Sequence, residues 1–199
     1  DNTIQNWATD AAGTSYGAWQ AGATAILKGL DVDTNITVAA DLDVGGISFY
    51  IATTGGDYNL IDDGQVRTIT LSGSAPVVLV DTQSNCEVDF VGSQLVLAGT
   101  NGFTKTGAGI FHLEGKATNS ISGTANILGG SFTLTDGRIL NISTINVVGD
   151  GTTFIMNKNT VATSQDRIGD SAVINLKNNA YFSFNADATE TVGGVNVQN

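Results

Sequence analysis

One apolar position returns about every 21 residues through most of this chain. Starting at Phe49, it recurs at Ile69, Phe90, Phe111, Phe132, Phe154, Ile174 and Val195, in steps of 20, 21, 21, 21, 22, 20 and 21. Two residues further on lie Ile51, Leu71, Gly92, Leu113, Leu134, Met156, Leu176 and Val197, with Gly92 the one interruption. The next position holds Ala52, Ser72, Ser93, Glu114, Thr135, Asn157, Lys177 and Gln198, nearly all polar. An inward pair with an outward neighbour is the two-residue period of a β-strand. Thr53, Gly73, Gln94, Gly115, Asp136, Lys158, Asn178 and Asn199 follow, and most of them suit turns.

A noisier column runs through Leu60, Leu79, Leu97, Ile121, Ile142, Val161 and Phe182, in steps of 18 to 24. Each repeat therefore holds at least two strands joined by turns of variable length. No long stretch keeps the i, i+3, i+4 rhythm of a helix, and Gly and Asn interrupt throughout. A unit of this length cannot bury its own apolar face, so it must stack on its neighbours at about 4.8 Å per rung. The expectation is an all-β, right-handed parallel β-helix of about eight rungs of 20–22 residues over 31–199. At that spacing its rod is roughly 40 Å long. The right hand follows the usual crossover preference.

Residues 1–30 do not join the columns. With Trp7, Tyr16 and Trp19 in an Ala- and Gly-rich segment, they read as an N-terminal cap, the alternative being an aromatic platform for a sugar or another ligand. The last rung runs to Asn199 without a capping signal. Its strand edge is expected either to continue in a longer chain or to dock on another copy. The opening at Asp1, without Met, reads as a processed chain or an excised piece of one.

Composition agrees. The chain has 25 Gly and single Pro, Cys, Met and His residues, and only 14% of it is charged. The formal net charge is −11, a field that repels a phosphate backbone, so nucleic acid is not an expected partner. Cys86 has no partner for an internal disulfide and alternates with polar residues, as a small buried hydrophobe would. The longest apolar run, Ala75 to Val80, is far too short to span a bilayer.

The acidic groups are the candidates for chemistry. A glycosidase needs two carboxylates across a cleft, and a lyase needs a base with a cation to steady the anion. The candidates are Asp31 with Asp33, Asp41 with Asp43, Asp62 with Asp63, and Asp166-Arg167 with Asp170. Asp31-Val32-Asp33-Thr34-Asn35 opens like a calcium loop, but Ile36 stands where Gly is needed and Leu42 where Glu is. The pairs at 31/33 and 41/43 read as solvated strand faces, Asp62-Asp63-Gly64 as a turn, and Asp166-Arg167 as a surface ion pair. His112 follows Phe111 in the outward column and reads as a lone exposed histidine. No residue is assigned a catalytic, cofactor-binding or metal-ligating role, no cofactor is implied, and the chain is not expected to be an enzyme.

The segment Gly102-Phe103-Thr104-Lys105-Thr106-Gly107-Ala108-Gly109, followed by Leu113, Gly115, Asn119, Gly123, Gly129-Gly130, Phe132 and Leu134, resembles the autotransporter-associated β-strand repeat. Trp19 through Gly29, Val44 through Phe49, and Glu190-Thr191-Val192-Gly193-Gly194-Val195 are similar to other recurrent segments of such passengers. Ile121 replaces the repeat's Tyr, and no membrane barrel follows. The resemblance implies a right-handed β-helix exported to the outer surface of a bacterium. The expected role is a non-catalytic structural or adhesive module, with self (end to end in fibres), surface glycans or a host surface as partner. The alternative is a polysaccharide-binding or polysaccharide-degrading β-helix, motivated by the Asp clusters and by Tyr50 and Tyr181 as outward aromatics.

Overall fold

The structure, a computed structural model, describes residues 7–8, 14–28, 33–50, 56–81, 86–157, 166–185 and 189–198. Among these the regular elements are all β-strands, and nearly all pairing is parallel. No helix is long and apolar enough to cross a membrane.

A seven-stranded sheet carries, in spatial order, β4 (Thr34–Val38), β7 (Tyr58–Asp62), β10 (Glu87–Phe90), β13 (Ile110–Leu113), β15 (Ser131–Leu134), β17 (Thr153–Met156) and β19 (Tyr181–Phe184). A larger sheet carries β3 (Thr24–Lys28), β6 (Gly46–Tyr50), β9 (Val77–Asp81), β12 (Phe103–Thr106), β14 (Ser120–Ile127), β16 (Asn141–Val148), β18 (Val173–Lys177) and β20 (Gly194–Gln198). A short row of β5 (Leu42–Val44), β8 (Arg67–Leu71) and β11 (Leu95–Gly99) joins it through Ser120 and Ile121 of β14. The chain visits these rows in rotation, and each return lands one strand further along. β1 (Trp7–Ala8) and β2 (Tyr16–Gly17) form a separate antiparallel pair. The Trp7 and Trp19 rings lie 4.6 Å apart and pack on the core. β3 already pairs with β6, so the parallel stack starts inside the segment read as a cap.

Alternation sorts the side chains. In the seven-stranded sheet Val88, Phe111, Phe132, Phe154 and Phe182 are in register, as are Leu60, Phe90, Leu113, Leu134, Met156 and Phe184. The rings of Phe111, Phe132, Phe154 and Phe182 stack at 5.6, 5.6 and 5.4 Å. Inward residues of all three rows join one core cluster, where each large side chain contributes about 1.5–3 kcal/mol of burial.

The period differs from the expected 20–22 residues. Steps between paired strands run from 19, Ser122 to Asn141, up to 31, Ile47 to Val78. The column read from the sequence consequently crosses rows. Phe49, Ile174 and Val195 belong to the larger sheet, Ile69 to the short row, and Phe90, Phe111, Phe132 and Phe154 to the seven-stranded sheet. Phe90 sits one inward position over, opposite Leu113. The noisier column also mixes rows: Leu79 faces outward between the buried Val78 and Val80, and Val161 lies outside the described residues, as do Ile51, Ala52, Thr53, Lys158 and Asn199.

Candidate functional site

Among the described residues, a cluster of His, Asp and Glu side chains lies on the outer face of the seven-stranded sheet. Pairing of β7, β10 and β13 brings Asn59, Asp89 and His112 side by side. His112 Nδ1 is 2.8 Å from Asp89 Oδ1 and 3.8 Å from Glu87 Oε2, and its Nε2 is 2.7 Å from Thr135 Oγ1. One ligand atom from each of Glu87, Asp89 and His112 lies within 4.8 Å of the others. Asp89 is 7% exposed although it points away from the core. Burial alone pushes the imidazole down, but hydrogen bonds and charge from Asp89 and Glu87 outweigh it and hold His112 at about 9. At neutral pH the ring is therefore an imidazolium that donates from both nitrogens. The same contact holds the Glu87 carboxyl below its ordinary range, against the effect of burial.

Two further carboxylates extend the cluster. The Asp57 amide donates to Asp33 Oδ1 at 3.2 Å, and the Glu87 amide donates to Asp57 Oδ1 at 2.8 Å. Each acid accepts an amide at the start of the next strand in the sheet, from the residue just before β7 and from the first residue of β10. Burial raises the Asp57 carboxyl, the Glu87 amide opposes it, and the charges of Asp89, Glu87 and Asp33 raise it further. His112 is thus outward, as its position predicts, but neither alone nor freely exposed.

Lys105 is a second feature that the alternation hides in plain view. It follows Phe103 with inward parity and stands between Val78 and Ile127 in an apolar ladder, fully buried. Its ammonium donates to the carbonyls of Gly107, Gly109 and Gly129 at 2.8, 2.5 and 2.9 Å, so all three protons are used. Burial lowers it to about 8. The Thr-Lys-Thr-Gly-Ala-Gly segment is therefore a corner tied from inside. Gly107 has φ +82, and a Cβ there would stand 2.1 Å from the Val80 carbonyl oxygen, which no side chain tolerates.

No family model, curated protein or solved structure matches this chain.

Arg167 was expected in a surface ion pair with Asp166. It is 1% exposed and turns inward instead. Its guanidinium donates to the carbonyls of Asn157 and Thr135, and its Nε lies 4.0 Å from Glu190 Oε2. The Glu190 carboxylate accepts from the amides of Arg167 and Ile168 at 3.1 Å. A guanidinium buried among carbonyls needs this anion, and the pairing with a residue 23 positions away left no local trace.

The remaining acids do local work. Asp41, exposed just before β5, accepts from the Thr68 amide at 2.9 Å, and Asp43, exposed in β5, from the Ser72 hydroxyl. Asp62 accepts from the Gly64 amide, which closes the expected turn, and from the Gln94 amide. Asp63 takes two hydrogen bonds from Arg67, at 2.9 and 2.6 Å. The Asp166 carbonyl accepts from Arg138, and Asp170 is exposed. Asp31 lies outside the described residues. Tyr50 lies in β6 with Lys28 over its ring, and Tyr181, 58% exposed, lies in β19 of the other sheet, so the two make no common platform.

Proposed function

We propose that this chain is a right-handed parallel β-helix that serves as a non-catalytic structural and adhesive module outside a bacterial cell, of the autotransporter-associated repeat type. The observation that carries the reading is the continuity of its ladders. The phenylalanine column runs through β13, β15, β17 and β19, and an outward asparagine column, Asn126, Asn146, Asn175 and Asn196, is hydrogen-bonded amide to amide at 2.8 Å in each step. Repetition of this kind builds a rod. Lys105 and Arg167 donate to backbone carbonyls, and Asp33, Asp41, Asp57 and Asp62 accept from backbone amides, which favours scaffolding over chemistry. The right hand is supported by the general crossover rule, and the outer-surface location by the repeat resemblance.

Assembly would use the last described strand of the larger sheet. Among the described residues β20 pairs only with β18, and its Val197 is 69% exposed. An edge of this kind accepts another strand, so copies associate there end to end. Negative-stain microscopy and small-angle scattering of the untagged protein over a concentration series, with a parallel screen against acidic and neutral polysaccharides, tests the reading. Elongated particles that lengthen with concentration and leave every polysaccharide intact are expected. Depolymerisation of any one would replace the reading with the enzymatic alternative, and compact particles would end it.

A further inference from the structure

We infer that Glu87, Asp89 and His112 form a binding site for a divalent transition-metal ion of the zinc class. The donors come from two neighbouring strands in fixed register, Glu87 and Asp89 from β10 and His112 from β13, so the backbone ladder positions them. Asp89 and His112 are direct partners across that register. The distances from Nδ1, 2.8 Å to Asp89 and 3.8 Å to Glu87, bracket the separation of about 3.3 Å between two ligands of a tetrahedral ion with bonds of about 2.0–2.1 Å. A small rotation of either carboxylate reaches it.

The second nitrogen is also accounted for. Nε2 lies 2.7 Å from Thr135 Oγ1, a fixed oxygen that accepts its proton. A ligating histidine whose other N–H is held in this way has its tautomer and ring plane set, and Nδ1 becomes the coordinating atom. Binding there releases the Nδ1 proton to solvent and puts the ion in its place. Charge favours the ion: Glu87 and Asp89 face the imidazole, and Asp57 and Asp33 extend the negative group behind them through the amides of Glu87 and Asp57. Glu87 is the most open member, with its side chain 37% exposed, which leaves a path for the ion and a place for water as a further ligand. One imidazole nitrogen with two carboxylates selects a first-row ion over calcium, which takes oxygen donors.

The histidine is the only one in the chain, so its ring is a direct reporter. Zn²⁺ titrated into untagged, metal-stripped protein should bind at one ion per chain by calorimetry. The ¹⁵N spectrum should show Nδ1 losing its proton and shifting as a ligand while Nε2 keeps its own. Glu87→Gln, at a half-exposed position that the core does not need, should weaken binding at least about tenfold, and Thr135→Val should weaken it about tenfold through the lost tautomer support. Asp41→Asn, in the link between β4 and β5, should leave it unchanged. Overturning results are a ring that stays doubly protonated with excess Zn²⁺, Zn²⁺ binding unaffected by Glu87→Gln, or Ca²⁺ binding at this site as tightly as Zn²⁺.

Discussion

Lys105 and Arg167 are both buried cations: Lys105 is tolerated because three backbone carbonyls meet its protons, and Arg167 because its Nη1 donates to two carbonyls while the Glu190 carboxylate faces its Nε, which makes no hydrogen bond. Lys105→Met keeps the volume and the apolar ladder but strips donors from three glycine carbonyls. It should lower stability by about 2 kcal/mol in denaturant unfolding. Its pH signature is specific. Burial brings the folded-state value to about 8 against 10.5 for the free side chain, so between these pH values the unfolded chain holds one more proton than the folded one. Wild-type stability therefore rises with pH across that window, and its lead over Lys105→Met should widen by roughly 1–3 kcal/mol from pH 8 to 10.5. Glu190→Ala leaves Arg167 buried without its counter-ion and two amides without an acceptor. A loss of about 3–5 kcal/mol is expected by the same measurement.

Strand ladders make a residue's worth depend on its place in the column. Phe132 has stacked rings on both sides and an edge contact from Phe103, and Phe132→Ala should cost about 3–5 kcal/mol. Phe184, half in solvent on the edge strand β19, should cost less than about 1 kcal/mol when truncated. The asparagine column should behave alike: Asn146→Ala breaks two side-chain hydrogen bonds and should cost about 1–2 kcal/mol, and Asn196→Ala breaks one and should cost about half as much, both read from chemical unfolding. Strand alternation and the phenylalanine column were legible because Phe111, Phe132 and Phe154 follow steps that match the backbone register. Phe49 and Ile69 were misassigned to that column because links between strands vary in length, at small entropic cost, and a fixed-period scan then jumps rows. Register also explains the polar surprises. His112 meets Asp89, and Arg167 meets Glu190, only after the chain has gone round and returned, and nothing local in the sequence marks either meeting.

At the scale of the whole molecule, every conclusion depends on strands far apart in sequence lying at regular height along one stack. The formal charge of −11 works against association of such stacks, so raising salt should promote the end-to-end assembly proposed above by screening that repulsion. The stacking itself can be measured by pulsed electron spin resonance with labels on one outward column of the larger sheet, in a Cys86→Ala background. A label at Ile26 on β3 serves as origin, and partners at Thr106 on β12, Lys177 on β18 and Gln198 on β20 stand three, six and seven strands away. At about 4.8 Å per strand the distances should be about 14, 29 and 34 Å. A distance that fails to grow with strand number, above all a Gln198 label nearer to Ile26 than the Thr106 label is, would contradict the stack.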